Sequence, residues 1–348
     1  MSDLIEFADI EAARQRIAGV VTYTPLQPLP ATSSRDNLST ILLKDESQQP
    51  IGSFKLRGAY NTIAQLTPEQ LQRGVITYSS GNHAQGVAFA ARALGSKAII
   101  VMPSTTPAIK REKTRELGAE IIIVGPASSE RRQRAEALAA EHGYTIVPPY
   151  DDDRIIAGQA TCGLEILEQL HWNADSRTQN ALILAPVGGG GLLSGIAAGI
   201  KLACTANNHA APQVWGVEPE LAADATESFH TKTLVEWPAE RTTRTLADGL
   251  RTQSLGERNF AHILHFADGF VTITEAELRA ALRILLTANI VSEPSGAVAL
   301  AAALFHANKL PKATKIVAIV SGGNIDPALR AEILAEPIAE NIPATNPV

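Results

Sequence analysis

The apolar positions of this chain fall into short runs that alternate between helical and strand spacing. Ile10, Ala13 and Ile17 repeat on one face behind Asp9, a capping residue, and Gly19 closes the run, so a helix is predicted there. Residues 41–44 read as a short strand. Strands are then predicted at 75–78, 98–102, 121–124 and 145–147. Helices lie between them, through Val87, Ala90, Ala91 and Leu94 up to Gly95, over 107–117 and over 131–141. A βαβαβαβ block of this kind implies a parallel sheet with right-handed crossovers. After Tyr150 the pattern resumes with helices at 160–170, 192–204, 275–288 and 295–306, and strands at 182–186, 214–217 and 315–320. Residues 225–255 are the least regular stretch and read as a long excursion. The tail after Ala335, rich in Pro, Ala and Asn, reads as loosely attached. No internal repeat is evident.

The 348 residues suggest two domains at roughly 150 residues each. A composition of 45% hydrophobic and 19% charged residues is that of a globular protein with a large core. The net charge of −6, without a basic cluster, predicts no affinity for nucleic acid. Two cysteines, Cys162 and Cys204, give no disulfide framework and point to a reducing cytoplasm. Met1 opens directly into Ser2 and Asp3, so no secretory leader is expected. No apolar run approaches the ~20 residues that span a bilayer, so no membrane association is expected.

Ligands of an open parallel sheet bind at the carboxyl ends of its strands. Three such ends carry unusual sequence. Gly188, Gly189, Gly190 and Gly191, followed by Leu192, join the strand at 182–186 to the next helix. Four unobstructed backbone N–H groups at a helix N-terminus suit a phosphate, whereas as a mere turn the run would carry a large entropic cost. It is not a P-loop, and its spacing does not fit Gly-x-Gly-x-x-Gly. The segment from Ser79 through Ser80, Gly81, Asn82, His83 and Ala84 to Gly86 suits a carboxylate, although by itself a capped helix start with a solvated histidine is the slightly plainer reading. In the third segment, from Gly52 to Gly58, Lys55 lies between Phe54 and Leu56. Desolvation there frees the amine for a Schiff base, but a snorkelling lysine is the plainer reading. Ser321 opens another strand end, in Ser-Gly-Gly-Asn. Glu218 and Asp224, with the main-chain carbonyl of Ala222, offer oxygens for Mg²⁺ or another hard cation, or are simply solvated acids. Glu293 reads as part of a helix-capping segment.

Taken together, Gly-Ser-Phe-Lys-Leu-Arg-Gly-Ala, Ser-Ser-Gly-Asn-His-Ala-Gln-Gly, the glycine run and Ser-Gly-Gly-Asn resemble, in order and separation, the threonine/serine dehydratase and serine racemase group of fold-type II pyridoxal phosphate enzymes. The resemblance runs from about Thr24 to about Asp326. It implies a tryptophan synthase β-like α/β fold with two open parallel-sheet domains. The large domain is 1–64 plus 151–348, a small one of 65–150 is inserted in it, and the cofactor lies in the cleft. It implies Lys55 as the residue that bonds pyridoxal 5'-phosphate, and residues 188–192 as the phosphate cradle. Phe54 would pack beside the ring, Asn82 would contact the 3-hydroxyl and Ser321 the pyridine nitrogen. Ser79, Ser80, Asn82 and His83 would surround the substrate carboxylate, Arg131 would approach an acidic substrate, and Glu218, Ala222 and Asp224 would hold the group's divalent cation.

The implied chemistry is loss of water from a small β-hydroxy amino acid, giving a 2-oxo acid and ammonia. Lys55 takes the Cα proton, and the cofactor phosphate can supply the proton that the departing hydroxyl needs. L-threonine/L-serine dehydratase ranks first, 3-hydroxyaspartate dehydratase second and serine racemase third. Ser80 departs from many dehydratases, which carry alanine there, and makes a second catalytic residue opposite Lys55. Tyr150 stands where the racemases tend to have asparagine, which leans back toward a dehydratase. The resemblance also implies a homodimer or homotetramer. The chain carries no extra regulatory domain, so isoleucine feedback is not expected. A nicotinamide-dependent oxidoreductase is the alternative of another class, supported by a strand, a glycine turn, a helix and a strand ending at Glu218. It leaves Lys55 without a role. A non-catalytic binding protein is the third.

Overall fold

Parallel strands buried on both faces show as unbroken apolar runs, and that signal places most of the elements. The computed structural model describes residues 4–30, 39–79, 81–106, 108–125, 128–173 and 180–336. The chain begins α1 (Phe7–Ile17), β1 (Leu26–Pro28), β2 (Thr40–Asp45), α2 (Lys55–Ile63) and α3 (Pro68–Arg73). It continues β3 (Val75–Tyr78), α4 (Asn82–Ala93), β4 (Ala98–Pro103), α5 (Ala108–Glu116), β5 (Glu120–Val124), α6 (Ser128–His142) and β6 (Thr145–Ile146). Next come α7 (Asp153–Gln169), β7 (Ala181–Pro186), α8 (Gly191–Ala206), β8 (Gln213–Pro219), α9 (Asp224–Thr231), α10 (Ala239–Thr242) and α11 (Glu257–Phe266). The described chain closes with β9 (Gly269–Ile273), α12 (Glu275–Thr287), α13 (Pro294–Phe305), β10 (Lys315–Val320) and α14 (Pro327–Ala335).

These strands form two sheets. The larger has the order β1-β2-β10-β7-β8-β9 and is parallel except for β1, which runs antiparallel to β2. The smaller, β5-β4-β3-β6, is wholly parallel. In the large sheet, β10 is central. Its Ala318 faces Leu43 on one side and Leu184 on the other, and β7 is buried along its whole length. One face packs on Ile10 of α1, Ile156 of α7 and Ile196 of α8. The other packs on Leu282 and Leu286 of α12 and Leu300 of α13. The core over the small sheet takes in Ala59 and Ile63 of α2 and Ile155 of α7, from outside residues 65–150.

Several sequence expectations are corrected. α1 starts at Phe7, and Asp9 lies inside it, its carboxylate accepting from the Glu6 backbone N–H at 2.9 Å. Residues 225–255 are not irregular throughout, since α9 and α10 lie there. The helices α2, α3, α11 and α14 and the strands β1 and β9 were not predicted. For α2 the reason is its buried face, which carries Arg57, Asn61 and Thr62 beside its apolar residues and breaks the hydrophobic period. The start of the helix expected at Pro107 and the tail from residue 337 lie outside the described residues.

Candidate active site

A cavity of about 280 Å³ opens between the carboxyl ends of the two sheets. Its lining joins Phe54 and Lys55 at the start of α2 with Ser79, Asn82 and His83 at the β3–α4 turn. Gly188 to Leu192 at the start of α8, Ser321 after β10 and Arg131 on α6 complete the predicted set. Ser80 lies outside the described residues. Glu218, Ala222 and Asp224 do not line this cavity. Tyr78, Pro149, Glu293 and residues 248–252 do, and the first two of these carried no sequence signal.

Each side chain is held by its own element. Lys55 opens α2, and its ammonium donates to the Pro149 carbonyl at 2.8 Å. Burial pulls that ammonium down to about 8. The ammonium lies 5.2 Å from the Phe54 ring centroid. His83 is buried in the first turn of α4 and spends Nε2 on the Val147 carbonyl at 3.0 Å. Burial, aided by the Lys55 charge, lowers its pKa to about 3, so the ring is neutral. A carbonyl only accepts, so the proton of this neutral ring sits on Nε2. Ser79 Oγ accepts from the Gly81 N–H at 3.3 Å. Asn82 is fixed at both ends, its amide donating to Glu293 at 2.6 Å and its oxygen accepting from Asn324 at 2.8 Å. Glu293 occupies the N-cap position of α13 but caps nothing with its side chain, which turns to Asn82 instead. Burial pushes its carboxyl up to about 7. Ser321 is buried, with its hydroxyl 3.5 Å from the Ser295 carbonyl. Burial holds Arg131 below its usual pKa.

The glycine run has the geometry of an anion cradle. Gly190 takes φ of +95°, a left-handed turn that aims the next amides along the start of α8. A Cβ on Gly189 would stand 2.3 Å from the Tyr150 ring. A phosphate and an amine-reactive carbonyl are therefore the two groups this cavity can hold at once, one on residues 188–192 and one at Lys55. Asn82 and Ser321 remain as polar partners, and Phe54 as an apolar wall.

Beside α9, Glu218 Oε2 accepts from the Thr226 N–H and hydroxyl at 2.6 Å each, and Oε1 from the Ala225 N–H at 3.1 Å. Both oxygens of buried Asp224 have no hydrogen-bond partner among the described residues. Burial raises the Glu218 carboxyl well above its usual value and that of Asp224 to about 7. Two buried carboxylates without a balancing cation fit a hard metal ion. Among the described residues no three His, Cys, Asp or Glu side chains gather around one point.

A lysine at a helix start, lining one cavity with a glycine-built anion cradle between two largely parallel sheets, defines a pyridoxal phosphate enzyme of fold-type II. The chain belongs to the pyridoxal-phosphate dependent enzyme family, whose pattern it matches over residues 17–322. It is 40% identical over 326 residues to the catabolic L-threonine dehydratase TdcB of Staphylococcus aureus (strain USA300), covering 93% of this chain and 90% of that one. It is similar to the threonine deaminase of T.th., with 41% identity and a TM-score of 0.82 over 92% of this chain and 99% of that one. Maize serine racemase superposes with a TM-score of 0.85 at 32% identity, over 95% of this chain and 97% of that one. Pyridoxal phosphate is thus the family's cofactor, and the nicotinamide alternative is set aside. Among the described residues no helix is long and apolar enough to cross a membrane.

Proposed function

We propose that this chain removes water from a small β-hydroxy amino acid, L-threonine or L-serine foremost, to give a 2-oxo acid and ammonia. The observation that carries this reading is a lysine of lowered pKa sharing one cavity with the glycine cradle at the start of α8. When bound, pyridoxal phosphate supplies a conjugated ring that makes the substrate's Cα proton acidic. The amides of residues 188–192 would hold its phosphate, Phe54 and Asn82 would orient its ring, and Ser321 would meet its nitrogen. A neutral serine there does not enforce ring protonation, which favours prompt elimination over a long-lived carbanion. Ser79, Ser80, Asn82 and the backbone N–H of His83 would receive the substrate carboxylate at the start of α4, where the helix dipole is favourable. Lys55, about tenfold more acidic than an ordinary lysine for each unit its pKa falls, would take the Cα proton at neutral pH. Glu218, Ala222 and Asp224 would hold a divalent cation such as Mg²⁺. Closure of residues 65–150 over the cavity would exclude water. A homo-oligomer in the cytoplasm is the setting we assign.

A second reading, 3-hydroxyaspartate as substrate, is favoured by the placement of Arg131 in the cavity wall. The likeness to maize serine racemase keeps racemisation of serine as a side activity to be measured. The deciding experiment is a panel of threonine, serine and 3-hydroxyaspartate given to the purified protein with pyridoxal phosphate. We expect 2-oxobutyrate from threonine and pyruvate from serine, both lowered by a chelator and restored by Mg²⁺. No 2-oxo acid from any of the three sinks the proposal.

The cradle can be tested on its own. Gly189→Ala forces the Tyr150 ring off the loop, because the new methyl would stand 2.3 Å from it. We expect affinity for pyridoxal phosphate to fall about 5- to 150-fold, matching the ~1–3 kcal/mol that overpacking costs. Titration of the apoprotein by absorbance reads this directly, and unchanged affinity would remove the glycine run from the phosphate site.

A further inference from the structure

A domain that closes over a cavity needs a contact that holds it there and still lets go. Lys110 on α5 makes such a contact. Its ammonium donates to Asp248 Oδ2 at 2.6 Å, reaching from residues 65–150 to the turn Asp248–Leu250 between α10 and α11. Among the described residues it is the one ion pair that joins residues 65–150 to the rest of the chain. Both side chains line the cavity that holds Lys55. Both also line a neighbouring cavity of about 260 Å³, together with Gln85, Lys113 and Asn324. The pair therefore stands in the wall between two spaces.

Two more charged residues line both cavities, Arg251 and Glu293. Arg251 is engaged within its own segment, donating to the Thr245 carbonyl at 2.9 and 2.7 Å. Glu293 accepts from Asn82 and is buried. After burial, the charges of Asp248 and Lys110 act on its carboxyl, the first raising and the second lowering its pKa. The Lys110–Asp248 pair differs in being open to solvent, with side chains 27% and 41% exposed. Water can take up both charges when the pair parts, so breaking it costs little. Its far end is firmly based. The Gly249 carbonyl and Leu250 Cα lie 3.1 and 3.2 Å from where a Cβ on Gly188 would stand, and the Gly249 N–H donates to Ser295 Oγ at 2.9 Å. Lys110 thus pulls on a turn seated against the glycine cradle.

We propose that Lys110 and Asp248 form the latch that holds residues 65–150 shut over the cavity and parts to pass substrate and product; this rests on the closure proposed with the dehydratase reading above. With the pair made, α5 is tied to the turn on the cradle and the two cavities are divided. With the pair broken, the wall opens and they run together. Lys110 acts by position and takes no part in the chemistry. A partly exposed ion pair shifts such an equilibrium modestly, which suits a contact that parts in every turnover.

The first test is of the charges. In Lys110→Met we expect kcat/KM on serine to fall about 1.5- to 5-fold, the worth of a partly exposed ion pair. Lys110→Arg keeps the charge and should lose less. Lys110→Asp sets two carboxylates against each other and should lose more, and adding Asp248→Lys should recover most of that loss. Salt should lower kcat/KM of the unaltered protein toward that of Lys110→Met and move the variant less. A reversed pair no better than Lys110→Asp, or equal salt responses, overturns the proposal. The second test is of the opening. A variant carrying Lys110→Cys and Asp248→Cys is joined by a reducible bis-maleimide, the native Cys162 and Cys204 being buried. Turnover of serine, and uptake of pyridoxal phosphate by the apoprotein, should be lost on joining and return on reduction. Undiminished turnover or uptake in the joined protein means that the contact never parts, and it overturns the latch. Uptake needs no dehydratase activity. An unaltered protein that forms no 2-oxo acid therefore sinks the dehydratase reading, while uptake still decides the latch.

Discussion

Lys55→Ala abolishes the visible absorption of the bound cofactor and lowers 2-oxo acid formation by about 10⁴-fold or more, because one amine serves as both attachment point and base. Borohydride reduction followed by mass spectrometry shows a pyridoxyl adduct on Lys55 in the unaltered protein and none in the variant. The physical root is placement. The amine sits in the cavity against the Pro149 carbonyl, with no ion pair to a carboxylate among the described residues, and burial brings its pKa to about 8. The sign follows from which form reacts. The neutral amine captures the aldehyde, so cofactor uptake by the apoprotein should rise about tenfold per pH unit up to about 8 and level off above. Uptake that keeps rising to the value of an ordinary lysine, or an adduct elsewhere in the chain, overturns the assignment.

The largest loss of stability is expected at Arg57, two residues further along α2. Its guanidinium is wholly buried between two carboxylates. It bonds both oxygens of Glu46 at 2.7 Å and both oxygens of Glu165 at 2.7 and 2.9 Å. Lys44, also wholly buried, donates to Glu165 at 2.5 Å and to the Thr24 carbonyl at 2.7 Å. Two cations and two anions balance, and they clamp α2 to β2 and α7. Arg57→Met leaves Glu46 buried without its partner, and we expect a loss of about 3–5 kcal/mol, read from chemical denaturation. A double variant that also carries Glu46→Gln should regain part of it, since the cost lies in the stranded charge. Burial raises the Glu46 carboxyl, but the charge and hydrogen bonds of Arg57 outweigh it and hold the pKa below 4.5. That stability is therefore complete above the unfolded value of 4.5 and fades as acid passes through the lower folded one. In Arg57→Met the fading should begin at higher pH, and an unchanged acid midpoint would count against the cluster.

How much of this was legible in the sequence depends on the kind of signal. The strands at 75–78 and 315–320 were placed to the residue, because a strand buried on both faces leaves an unbroken apolar run between turn residues. Helix α2 was invisible to the same reading because its buried face carries Arg57, Asn61 and Thr62 among its apolar residues. The edge strand β1 is three residues long and offers no alternation to count. Lys55 and the glycine run stood out through residue chemistry at strand ends. Glu293 was read as a cap because its neighbours look like a helix start, and only the approach of α4 shows that its carboxyl serves Asn82.

The sequence alone determined the alternation of strands and helices, the glycine cradle and the lysine, since these rest on local spacing and on what each residue type can do. The tertiary structure decided what faces what. It set Pro149 against Lys55 and Tyr150 on Gly189, and it gave Arg57 partners 11 and 108 positions away. Such pairings depend on how two sheets and their helices pack, and packing between distant segments leaves no period along the chain.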